Sequence, residues 1–177
     1  MKKEMVITIL SEDKPGIVER VTDVLLRYGA NLEESRMARL GGEFAGIMLI
    51  TVDESKMDDL TRAMDALKEQ SLSVIAKATD PSVAKRYAGY VPYEIKVSGA
   101  DHEGIVHGIA EYLAAQGANI EELSTDVTNA PITGIPLFSM RAVVEVPPKI
   151  STTELREKLA YIAEEQGVDI EIKLLVK

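Results

Sequence analysis

Two stretches of this sequence carry the residues best suited to chemistry. "SEDKPGIVERV" (11–21) and "GADHEGIVHGI" (99–109) each place an aspartate, Asp13 or Asp101, three residues ahead of a glycine, Gly16 or Gly104. An Asp at that distance can accept a hydrogen bond from a first-turn amide and so cap a helix. Pro15 suits an early helical position, where its missing N–H costs nothing. Capping explains the Asp and the Pro. It does not explain the Gly, because a glycine inside a helix costs about 1 kcal/mol relative to alanine. The second possibility is that a residue without a side chain lets a carboxylate or other polar acceptor approach amides at the positive end of a helix. Asn31 and Asn119 follow each turn at the same distance. Such an Asn can be a turn residue that tolerates a left-handed backbone or bonds its own chain, or an amide that donates to and accepts from a small zwitterion. Capping is the expected reading of the turn, with the ligand reading kept beside it; for the asparagines both readings stay open.

Other constellations are weaker. His102 and His107 are five apart, on different sides of a helix, and no cysteine assists them, so a metal site is not expected. The pairs Glu33-Glu34 and Glu121-Glu122 fall at strand starts and read as solvated charge. "RLGGEF" (39–44) reads as a hairpin with Gly41-Gly42 at the turn, with no GxGxxG or phosphate loop to call for a cofactor. No nucleophile–base pair is visible.

The elements that position these residues are written twice. Residues 13–34 and 101–122 align at a shift of 88 with 10 of 22 positions identical. Each copy reads strand, helix, strand, strand, helix, strand. Ile17, Val21 and Leu25, like Ile105, Ile109 and Leu113, recur every fourth residue as an apolar helical stripe. Gly29 and Gly117 suit the left-handed position that ends a helix. "GIMLITV" (46–52) and "MRAVVEV" (140–146) read as interior strands. Met57, Leu60, Met64 and Leu67 stripe the second helix of the first copy, and Leu155, Leu159 and Ile162 that of the second. Val168, Ile170, Ile172, Leu174 and Val176 alternate as a last strand. The βαββαβ order predicts an α+β fold, two ferredoxin-like domains in tandem, each a four-stranded antiparallel sheet with two helices on one face. Their expected extents are 1–78 and 92–177, joined by a linker at 79–91. Sheet faces opposite the helices must be solvated or covered, and cover in part, from the other domain or from a second copy of the chain, is expected, which favours a homodimer. "NAPITGIP" (129–136) is an excursion specific to the second copy, with Ile132, Ile135 and Leu137 expected to find cover at an interface.

Composition narrows the function classes. The net charge of −9 is −3 over residues 1–85 and −6 over 86–177, so both halves repel phosphate backbones and direct nucleic-acid binding is not expected. No apolar run approaches the ~18 residues of a membrane span, and the start lacks the pattern of a signal peptide. With no cysteine there is no disulfide framework, and the cytoplasm is the expected compartment.

The "SEDKPGIV…GANL" and "GADHEGIV…GANI" stretches resemble the ACT domain, a small βαββαβ module that binds amino acids and regulates metabolism. The resemblance covers nearly the whole chain as two repeats. "NAPITGIPLFSM" (129–140) is similar to the second repeat of the glycine cleavage system transcriptional repressors, a family of tandem-ACT proteins. The resemblance implies a non-catalytic regulator that senses a small amino acid, glycine first. It would act through a protein partner, by analogy a transcription activator. A pure assembly module or regulatory subunit without a ligand is the alternative. Carried over by position, the ligand-binding set is Ser11, Asp13, Lys14, Pro15, Gly16 and Ile17 with Asn31 and Leu32 in the first copy. In the second it is Asp101, Gly104 and Ile105 with Asn119 and Ile120. Such a turn and Asn often come from different, adjoining domains. The second set departs from the pattern at Gly99, where the first copy has Ser11, and at Glu103 in place of Pro15.

Overall fold

The computed structural model describes residues 1–176, which divide into two compact units between Arg86 and Tyr87. The first holds β1 (Lys2–Glu12), α1 (Ile17–Tyr28), β2 (Asn31–Leu40), β3 (Glu43–Asp53), α2 (Met57–Asp65), β4 (Ser73–Ala78) and a short helix α3 (Pro81–Ala84). The second holds β5 (Val91–Ala100), α4 (Ile105–Ala115), β6 (Asn119–Asn129), β7 (Pro136–Val146), α5 (Thr152–Gln166) and β8 (Val168–Leu174). Each forms one four-stranded sheet, in the orders β2-β3-β1-β4 and β6-β7-β5-β8, with antiparallel pairing throughout. This is the ferredoxin-like α+β arrangement expected from the repeat. The segment between β4 and β5 is not featureless, since Asp80 Oδ1 accepts from Ser82 N at 2.8 Å and starts α3. The last strand stops at Leu174, and Val176 lies beyond it, exposed.

Period-two and period-four stripes meet in each core. Met5, Ile7 and Ile9 of β1 and Met48, Ile50 and Val52 of β3 are buried against Ile17, Val21, Val24 and Leu25 of α1 and Leu60 and Met64 of α2. Tyr93, Ile95, Val97, Met140, Ala142 and Val144 meet Ile105, Ile109, Leu113, Leu155 and Leu159 in the second unit. The helix ends follow local rules. Gly29 ends α1 at φ 68°, its N–H donating to the Leu25 and Leu26 carbonyls. Ser151 caps α5, its Oγ accepting from Glu154 N at 3.1 Å.

The sheet faces turned from the helices differ between the copies. In the first unit Val6, Leu10, Ala45, Ile47, Leu49 and Ile75 share that face, and Leu10, Ile47 and Ile75 are exposed. In the second the matching rows carry Glu94, Lys96, Arg141 and Glu171, with Arg141 Nε donating to Glu94 Oε1 at 2.6 Å. Desolvating those ion pairs is costly, which disfavours an apolar cover on this face. The loop between β6 and β7 is a hydrogen-bonded turn: Ala130 N donates to Ile135 O and Gly134 N to Ala130 O, both at 2.9 Å. Within the chain its apolar residues stay uncovered, Ile132 at 98% exposure.

Candidate ligand-binding turns

The turn between β1 and α1 contradicts the capping expectation. Among the described residues no side chain caps α1 or α4, and neither Asp13 nor Asp101 bonds a first-turn amide. The N-cap positions are the glycines themselves, Gly16 at φ 92° and ψ 2° and Gly104 at φ 99° and ψ −15°. The glycine is therefore not a weak residue inside the helix. It stands one position before the helix, in a left-handed conformation that a side chain disfavours. Pro15 precedes it and lies outside α1. Asp13 acts through its backbone: its N–H donates to Gly42 O at 2.9 Å, as the Asp101 N–H donates to Pro136 O at 3.0 Å. Each turn is thus hooked onto the next hairpin, and that closure sets the path into the helix. The Asp13 carboxylate only approaches Arg39 Nη1, at 3.4 Å.

A helix leaves its first amides without internal partners, and with a glycine N-cap no side chain satisfies them here. In the first unit Lys14 and Arg20 flank them in sequence. The Arg20 guanidinium lies over Gly16, 3.8 Å from where a β-carbon would stand, and no carboxylate pairs with it among the described residues. Bare amides, a helix dipole and a guanidinium together suit a carboxylate. Ser11 is buried, with its Oγ donating to Glu12 O at 3.2 Å, so its hydroxyl is directed at its own backbone. Ile17 and Ile105 are core residues beneath the turns.

The second turn is occupied by its own chain. Gln166 at the end of α5 brings its amide to 3.9 Å of the β-carbon position of Gly104 and 3.6 Å of that of Gly108, the counterpart of Arg20. His102, the counterpart of Lys14, reaches the Gln166 carbonyl at 2.7 Å. Gly99 has a steric reason: a β-carbon there would lie 2.8 Å from Val168 Cγ1 and 3.1 Å from Val168 Cα.

The asparagines lie at the other end of each sheet. Asn31 pairs across β3 with Thr51, which pairs with Glu4, whereas Ser11 pairs with Phe44. Seven strand residues therefore separate the Asn31 end from the Ser11 end, about 23 Å at ~3.3 Å per residue. Asn119, aligned through Glu145 with Pro92, stands equally far from Gly99. No turn meets the Asn of its own unit. Neither Asn is left-handed, which removes that form of the turn reading, while Asn31 does bond its own chain. Asn31 is a strand residue whose Nδ2 donates to Glu33 Oε1 at 2.9 Å, where Thr51 Oγ1 also donates at 2.7 Å. These two bonds, Asn31 first, hold the Glu33 carboxyl below the usual carboxylate range. Glu33 and Glu121 are the extra residues of matching bulges, between Leu32 and Glu34 and between Ile120 and Glu122. Reading the pairs as merely solvated charge missed both bulges. Leu32 lines a groove of about 460 Å³ with Leu25, Leu26 and Ala30.

Residues 3–77 and residues 102–173 each match a family model described as the ACT domain. The chain belongs to the ACT-domain family. The tandem ACT chain is 30% identical over 119 residues to the glycine cleavage system transcriptional repressor of Escherichia coli K12, a match spanning 67% of this chain and 62% of that protein. A UPF0237 protein of Methanopyrus kandleri is 40% identical over 77 residues, 43% of this chain and 79% of that one. Among solved structures, an unknown protein from Galdieria sulphuraria superposes with a TM-score of 0.87 at 33% identity, covering 99% of this ACT chain and all (100%) of its own. Among the described residues no helix is long and apolar enough to cross a membrane.

Proposed function

We propose that this tandem ACT protein is a non-catalytic regulator that binds a small amino acid, glycine first, at the strand-to-helix turn of its first unit. The observation that carries the reading is the uncapped start of α1, with the Arg20 guanidinium over Gly16 and without a carboxylate partner among the described residues. The first-turn amides and Arg20 take the ligand carboxylate. Since Asn31 is about 23 Å from the turn of its own unit by strand count, the asparagine that reads the ligand's ammonium end comes from another domain, of this chain or of a second copy in a homodimer. Ligand binding then favours one arrangement of chains over another. By its similarity to the E. coli repressor, the protein passes that state to a protein partner controlling glycine cleavage genes.

The alternative is an assembly module without a ligand. Two observations favour it: the positive φ of Gly16 accounts for the glycine by itself, and the Asn31 amide is already bonded to Glu33. A thermal-shift series with glycine, serine, alanine and the remaining common amino acids separates the two. An amino acid at about a hundred times its dissociation constant raises stability by ~2.7 kcal/mol. A protein indifferent to every amino acid leaves the assembly reading.

A further inference from the structure

His102 stands in the turn before α4 with both ring nitrogens against backbone carbonyl oxygens: Nδ1 is 2.9 Å from Glu103 O and Nε2 is 2.7 Å from Gln166 O. A carbonyl oxygen only accepts, so both nitrogens must donate. Neutral imidazole has one N–H, and only the imidazolium has two. The far contact has its own physical basis. Gln166 ends α5, whose last turn has no basic residue, and its carbonyl is among the four that a helix leaves without internal partners. A cation there also meets the negative end of the helix dipole.

We propose that His102 is a proton-operated latch. As the imidazolium it fastens the turn of the second unit to the carboxyl end of α5; as the neutral ring it keeps one of the two bonds and releases the other. The groups around it agree with this role. The carbonyls of Glu103 and then Gln166 hold the imidazole above its usual range, opposed by partial desolvation and aided by the charges of Asp101 and Glu103. From α5, Glu165 is engaged by the Tyr161 hydroxyl at 2.6 Å and Glu164 also faces Tyr161, while the Gln166 amide lies over Gly104 and Gly108. Lys14 takes this place in the first copy, so only the second turn changes its fastening with the proton. The latch requires no ligand and stands whether or not the first turn binds an amino acid.

The sign follows from the raised folded-state value. The latch contributes fully below the unfolded-state pKa of a histidine and is lost as pH rises through the folded one. NMR titration of the histidines in the full chain, assigned with H107Q, is expected to show His102 titrating above the usual imidazole value. Amide-exchange protection at Gly108, whose N–H donates to Gly104 O at 2.9 Å, is expected to fall over the same interval. Between about pH 5.5 and 8.5, the melting temperature of the wild type measured against H102Q should decline. H102K, a cation throughout that window, should flatten the decline. A His102 that titrates at or below the usual value, or a pH slope that persists unchanged in H102Q, overturns the proposal. The wild-type titration reads the latch even if a variant fails to fold.

Discussion

Replacing Gly16 by alanine tests whether the turn glycine serves the backbone. At φ 92° the added β-carbon meets only the flexible Arg20 guanidinium, at 3.8 and 3.9 Å, so no clash contributes. What remains is conformational. A side chain in a left-handed backbone costs about 1–2 kcal/mol, and alanine recovers ~0.4–1 kcal/mol by restricting the unfolded chain. The net expectation is a loss centred on about 0.8 kcal/mol, within a range from near zero to ~1.6 kcal/mol. Each kcal/mol lowers the melting temperature by about 4–8 °C if the first unit melts by itself, and ~2–4 °C if the whole chain melts together. Urea and thermal unfolding by circular dichroism, with tyrosine fluorescence in parallel, measures it. Five of the six tyrosines (87, 90, 93, 112 and 161) belong to the second unit, so the two signals separate the units. Gly16→Asn should lose less, since asparagine tolerates the left-handed region. A stabilised Gly16→Ala would refute the reasoning and return the glycine to the helix interior.

Four further outcomes follow from single contacts. Asp13→Ala should change stability by less than about 0.5 kcal/mol, because it removes no cap and only the long approach to Arg39; a loss near the ~1 kcal/mol of a true N-cap in chemical unfolding would restore capping. Ser151→Ala, by contrast, removes the bond accepted from Glu154 N and should cost ~1 kcal/mol in the same assay. Gly99→Ala drives a β-carbon into Val168, at 2.8 and 3.1 Å, and should cost about 1–3 kcal/mol, partly recovered in a Gly99→Ala, Val168→Ala double variant. If an amino acid stabilises the wild type, Asn31→Ala and Arg20→Gln should each remove most of that thermal shift while leaving the unliganded melting point nearly unchanged; a full shift in both variants would place the ligand elsewhere.

Local patterns carried most of the fold. The four-residue spacing of Ile17, Val21 and Leu25 is what an α-helix needs to bury one stripe, and the alternation in β1 and β3 is what a sheet with one covered face needs. Gly41-Gly42 and Gly29 are readable because a positive φ at a turn or helix end leaves few other choices of residue. The repeat fixed the strand–helix order, and hence the ferredoxin-like sheets, because each copy must close the same small core. Closure through space decided the rest. Whether Gly16 lies inside α1 or caps it depends on the bond from Asp13 N to Gly42 O, which joins residues remote in the chain. The 88-residue repeat brings out Gly16 and Asn31 as a pair, but α1 runs the length of the sheet between them and sets them at opposite ends. The bulges at Glu33 and Glu121 appear only once β2 and β6 are laid against their partners. His102 and Gln166 are 64 residues apart. Periodicity reports which face of an element is buried, whereas the partner of an exposed polar atom is set by which ends the packed core brings together.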